Sequence, residues 1–345
     1  RSSAASDVYK RQYKPFRPMK VQYISILAAF LMLVACHSKA PEGRNAARPE
    51  DVADGVAPVS VVDLTELAVE ADPDSIRLYA APLTALLRLQ QISDTVTEEA
   101  LTRYAGSKAV AMFRPEVAKI WPDSVLNRRL QAVANRLPVV LPIVKMPVVY
   151  TVVWPYNQSV VALGDSAVIL ALNHYLGAQH PAYNGFAEYV RRHKEPERVA
   201  VDLAEAIVSL RFPYDGGSYP TVLSRLLREG AIIEAVMRLT GVDEAAALGF
   251  TPDQAEWAAS NERQAWETML NRKMVFSTDA DLAEALIAPS PSTSVLNVES
   301  PGRLGRFIGH RIVAAYLRSN PDSSLSFILS PEFWNDGNAL SKSGY

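Results

Sequence analysis

Pro147-Val-Val-Tyr-Thr-Val-Val-Trp154, Ser159-Val-Val-Ala-Leu163 and Ser166-Ala-Val-Ile-Leu-Ala-Leu172 are the three runs that decide the fold. Each is short and rich in β-branched, aromatic or aliphatic residues, a composition that favours strands. Pro155-Tyr-Asn-Gln158 and Gly164-Asp165 stand between them as turn signals. Three short strands joined by tight turns predict an antiparallel meander. None of the three is long enough to cross a bilayer.

On both sides of these runs the pattern becomes helical. Upstream, Asp72-Pro-Asp-Ser-Ile-Arg-Leu-Tyr79 opens a helix, and Leu83, Leu86, Leu87 and Leu89 recur at helical spacing. Thr95-Val-Thr-Glu98 reads as a capping box, with Ser93 or Thr95 as the cap of the next helix. Asp123 to Leu137 is an amphipathic helix expected to stop at Pro138. Downstream, helices are expected over 196–211, 221–240, 252–273, 279–287 and 305–318. Pro196 takes a favoured first-turn place, and Thr251-Pro-Asp-Gln254 is a further cap with Phe250 as a hydrophobic staple. Trp154, Trp257, Trp266 and Trp334 are expected in the core rather than on a ligand platform. The fold class is therefore α+β: mostly helical, with a small antiparallel sheet inserted after the N-terminal helices.

The N-terminal region carries a different message. Met19-Lys20 opens Val21 to Ala35, an uncharged and largely apolar segment, with Arg11, Lys14, Arg17 and Lys20 supplying positive charge ahead of it. A charged lead, an apolar core and a small-residue end form the layout of a secretory signal. Leu33-Val-Ala-Cys36 fits a bacterial lipobox, in which the thiol is lipidated before cleavage. Cys36 is the only cysteine in the chain, so it has no internal disulfide partner. The expected organisation is an upstream scar at 1–18, a lipoprotein signal at 19–36, a flexible tether at 37–58 and one globular domain at 59–345. The tether is marked by Pro41, Gly43, Pro49, Gly55 and Pro58 among mixed charges.

Composition narrows the functional classes. Apolar residues at 49% and charged residues at 21% are ordinary for a globular chain. A formal net charge of −2 gives no electrostatic case for nucleic-acid binding. His37, His174, His180, His193 and His310 show no close metal-ligand spacing. Gly-x-Ser-x-Gly, phosphate-loop and dinucleotide fingerprints are missing, and Gly302-Arg-Leu-Gly305 reads as helix-start punctuation. No cofactor is expected.

Several segments together resemble GldB, a lipoprotein family associated with gliding motility in Bacteroidota. They are the strand runs ending in Leu172-Asn-His-Tyr-Leu-Gly177, Pro196-Glu-Arg-Val-Ala-Val-Asp202 and Leu227-Arg-Glu-Gly230. Trp257-Ala-Ala-Ser-Asn-Glu262 with Trp266, Phe276-Ser-Thr-Asp279, Ser300-Pro-Gly-Arg-Leu-Gly-Arg-Phe-Ile-Gly309 and Ile312-Val-Ala-Ala-Tyr316 complete the set. The resemblance covers roughly residues 60–345 and departs from the family at His310-Arg311 and at the C-terminal Ser341-Lys-Ser-Gly-Tyr345. It implies an envelope lipoprotein held to a membrane through lipid on Cys36, with gliding or secretion machinery as partner.

That family's domain is itself similar to gluzincin peptidases, which carry His-Glu-x-x-His on one helix and a third carboxylate on a later one. On the matching helix the two histidine positions hold Val201 and Glu205, and the glutamate position holds Asp202. Glu229 falls at the third-ligand position. The resemblance therefore implies four vestigial metal-site positions, with no metal and no catalytic residue expected. Two other readings stay open: Asp202, Glu205 and Glu229 as a carboxylate pocket for a hard cation, or Asp202 and Glu205 as ordinary polar members of an amphipathic helix or partners of arginines. The function expected is a non-catalytic binding or assembly component; the alternatives are a divergent metal-dependent hydrolase and a glycan- or peptide-binding lipoprotein.

Overall fold

Val61–Asp63 forms a first strand, β1, that runs directly into helix α1 (Leu64–Glu70). Asp63 makes the junction: its side chain accepts from the N–H groups of Thr65 and Glu66, satisfying donors that a helix start leaves orphaned. The computed structural model describes residues 52–155 and 158–345. The helices α2 (Pro73–Leu78), α3 (Ala80–Leu89), α4 (Glu98–Ala105), α5 (Lys108–Ile120) and α6 (Asp123–Val140) follow. Strands β2 (Val148–Val152), β3 (Val160–Leu163) and β4 (Ala167–Ala171) come next. The second half contains α7 (Arg198–Arg211), α8 (Val222–Thr240), α9 (Glu244–Leu248), α10 (Pro252–Asn271), α11 (Ala280–Ile287) and α12 (Leu304–Ser319), with short helices closing the C-terminus. The described residues belong to one compact unit.

The class is α+β and mostly helical, as the periodicity predicts, but the sheet is not an antiparallel meander. Its order is β1-β2-β4-β3, with β1 parallel to β2, β2 parallel to β4, and only β3 and β4 antiparallel. The turn at Gly164, with φ 62°, does make a hairpin of β3 and β4. The segment after β2 does not turn back. Trp154 donates its N–H to Asn173 Oδ1 at 3.0 Å, and Asn173 Nδ2 donates to the Trp154 carbonyl at 2.7 Å. This clamp holds the exit of β2 beside the exit of β4, so those two strands lie parallel and β3 is displaced to the edge. β4, buried along nearly its whole length, is then an inner strand flanked on both sides, which explains its unbroken apolar run.

Three local expectations shift as well. The cap of α4 is Thr97, whose side chain accepts from Ala100 N–H, and not Ser93 or Thr95. Helix α6 continues through Pro138 to Val140, because the ring removes one donor while Leu141 N–H still reaches the Leu137 carbonyl at 2.8 Å. Pro196 lies before the first turn of α7 rather than in it. The capping box of Thr251 and Gln254 forms as read. Trp154 and Trp334 are fully buried, while Trp257 and Trp266 pack half-buried against the core.

Helix α8 is buried around most of its circumference, and it packs most extensively against α12 and then α7. Its closest approach to α12 uses two glycines. A Cβ on Gly230 would lie 2.2 Å from Gly309 C, and one on Gly309 would lie 2.0 Å from the Leu226 carbonyl oxygen. Side chains beside this crossing therefore reach deep between the helices. The sheet rests on α7 through β3 and β4.

Candidate functional site

The four positions singled out by sequence lie on α7 and α8, and α12 supplies what holds two of them. Val201 is 2% exposed and belongs to the apolar core. Asp202, one residue on, accepts from Arg198 Nη2 at 2.8 Å and from the Tyr175 hydroxyl at 2.8 Å. Arg198 is itself anchored on the carbonyls of Ala246 and Ala247, at 2.7 and 3.2 Å. Burial first, and then the Asp202 charge, push the Tyr175 hydroxyl well above its ordinary pKa, so it acts as a donor.

Glu205 and Glu229 share one cation. Arg306, 3% exposed, donates from Nη2 to Glu205 Oε1 at 2.8 Å, and its Nε stands 2.9 Å from Glu229 Oε2. Glu229 also accepts from Arg228 Nη1 at 2.6 Å. Burial alone would raise the Glu205 pKa, but Arg306, Arg303 and Arg198 outweigh it and hold that carboxyl near 2. Burial likewise works against the Arg306 charge, and Glu205 and Glu229 reverse the effect. The guanidinium stands where a cation shared by these two carboxylates would stand. Asp202 is engaged in a separate pair. Among the described residues no group of three or more His, Cys, Asp or Glu is arranged to hold a metal ion.

One turn further along α12, His310 makes a second buried bridge. It has no exposed surface; Nε2 contacts Glu234 Oε2 at 3.1 Å and Nδ1 contacts Glu244 Oε1. Burial disfavours the imidazolium, yet Glu234 and Glu244 raise its pKa to about 9. His310 is then cationic at neutral pH and donates from both ring nitrogens. His174 accepts from buried Lys194 Nζ at 2.6 Å. The role of Arg306 was missed in the sequence. Its signal is a charged residue four positions before a histidine on a helix otherwise apolar at Leu304, Phe307, Ile308 and Ile312, which puts Arg306 and His310 on one buried face. Cys36 lies outside the described residues.

The family model for Gliding motility protein GldB matches residues 58–345. The chain belongs to the GldB family. No curated protein and no solved structure matches it. The GldB match spans the sheet, the α7–α8–α12 core and both ion-pair clusters.

Proposed function

We propose that this GldB-family chain is an envelope lipoprotein, anchored through lipid on Cys36, that serves as a non-catalytic binding or assembly component of a gliding or secretion apparatus. The observation that carries the non-catalytic part is the Arg306 guanidinium between Glu205 and Glu229. A zinc hydrolase needs three protein donors and an open water position. Here Val201 offers no donor atom, and three carboxylates are neutralised by arginines on neighbouring turns and helices. The family membership and the lipobox reading of Leu33-Val-Ala-Cys36 support the envelope placement. Isolation of the lipidated protein from envelope membranes, with mass spectrometry of co-purifying proteins, tests the assembly role. Recovery of motility or secretion components in stoichiometric amounts is expected. Recovery of the chain alone, or release of peptide fragments by it, contradicts the reading.

A further inference from the structure

Near the ion-pair network lies a small cleft lined among others by Arg192, His193, Phe250, Gln254, Ser290 and Arg303. No Asp or Glu lines it.

Arg303 is the unusual member. It precedes α12 with φ 63°, a left-handed conformation that costs a residue with a Cβ. Its Nε is completely buried without a hydrogen-bond partner, and its side chain has no ion-pair partner among the described residues. By contrast, the neighbouring arginines 198, 228 and 306 each hold a carboxylate. The wall carrying Arg303 is rigid, since a Cβ on Gly302 would lie 2.0 Å from the Ser290 carbonyl oxygen. The first amide of α12, on Leu304, is already taken by Thr293 Oγ1 at 3.0 Å and so is not free to hold a ligand.

The surroundings agree in sign. Arg192 is tied to Glu188, whose side chain is 68% exposed. His193 packs against Gly249, and burial together with Arg303, Arg198, Arg306 and Lys194 drives its pKa down to about 2. Burial is the larger cause, but the four cations add a positive local potential, which favours anions. Burial, and then the Arg306 charge, lower the Arg303 pKa to about 10; Glu205 and Asp202 compensate only in part, and a bound anion offsets the remaining cost.

We propose that this cleft binds the oxyanion group of a small ligand, a carboxylate or a phosphate, with the Arg303 guanidinium as the principal contact. The planar fork of Arg303 matches either group, and Phe250 supplies an apolar wall for the atoms that carry it. The site stands independently of the anchor and of the assembly role.

Calorimetric titration of the purified full-length protein with inorganic phosphate, and separately with acetate, at constant ionic strength, tests this. Saturable binding of at least one is expected, weakened about tenfold or more in Arg303→Gln. A preference for phosphate assigns a phosphate ester; a preference for acetate assigns a carboxylate. The unliganded Arg303→Gln protein should melt no lower than wild type, because burial and the Arg306 charge outweigh the carboxylates that favour the Arg303 charge. Ser290→Asp, which places a carboxylate in the cleft wall, should abolish binding whether or not Arg303→Gln folds. No saturable binding of either ion, or affinity unchanged in Ser290→Asp, overturns the proposal.

Discussion

Gly230 and Gly309 meet backbone to backbone where α8 crosses α12, and that contact brings Arg306 within reach of both Glu205 and Glu229. The crossing has no room for a methyl group. Gly309→Ala should therefore destabilise the protein by about 3 kcal/mol or more, since backbone rather than a flexible side chain must give way. Gly337→Ala, with open space around it, is the control and should stay within about 1 kcal/mol of wild type. Denaturant melts of the two variants compare them directly; equal midpoints would refute the close-packed crossing.

Removing Arg306 leaves two carboxylates in a cavity built for a cation. Arg306→Met should cost about 3 kcal/mol, at the lower end for a broken buried pair because the Glu205 side chain keeps 31% exposure. Adding Glu205→Gln to Arg306→Met should restore part of that loss. A double-mutant cycle on urea unfolding reads the coupling, and strict additivity would show that the pair is not energetically linked.

Buried charges also set the pH profile of stability. The Glu205 and Glu234 carboxyls, held near 2 against an ordinary 4.5, contribute stability that is present above 4.5 and lost as pH falls towards 2. His193, held neutral, adds an earlier acid loss that begins below its ordinary 6.5, where the unfolded chain takes up a proton that the folded chain refuses. His310 has the opposite sign: its contribution is complete below 6.5 and is lost as pH rises through about 9. Stability should therefore peak near pH 6.5, fall on the acid side, and fall on the alkaline side to about pH 8, above which loss of the proton from buried Lys194, lowered to about 8, opposes the His310 effect. Thermal melts from pH 4 to 10 test the shape, and His310→Gln should flatten the alkaline side. An unchanged alkaline slope in that variant would remove His310 from the account.

The local pattern of this chain was legible where chemistry is local. Helices at 222–240 and 252–271, the Thr251–Gln254 box and the helix-rich class all follow from periodicity and caps. The sheet order did not, because parallel pairing of β2 with β4 depends on Asn173 clamping Trp154 across nineteen residues, and turn residues alone cannot report that. The three-residue strand β1 is too short to carry an alternating pattern. At the site, Asp202, Glu205 and Glu229 were visible as carboxylates, but their partner Arg306 lies 101 residues from Glu205 in the chain. Only packing reveals which cation each one meets.

The anchor gives a separate expectation. Among the described residues no helix is long and apolar enough to cross a membrane. If lipid on Cys36 is the attachment, Cys36→Ala should move the protein from the membrane to the soluble fraction while leaving its melting temperature unchanged. Undiminished membrane retention after a high-salt wash would show that attachment does not depend on that thiol.

Metal content is the most direct measure of the central claim, that arginines occupy what a metal would otherwise hold. Two carboxylates already paired with Arg306, without an imidazole beside them, make a poor zinc site. Elemental analysis of the full-length protein, purified without chelator, is paired with a broad peptide-hydrolysis screen. Zinc far below one atom per chain and no chelator-sensitive hydrolysis is the expected result. Stoichiometric zinc, with peptidase activity abolished both by a chelator and by Glu229→Ala, would contradict it.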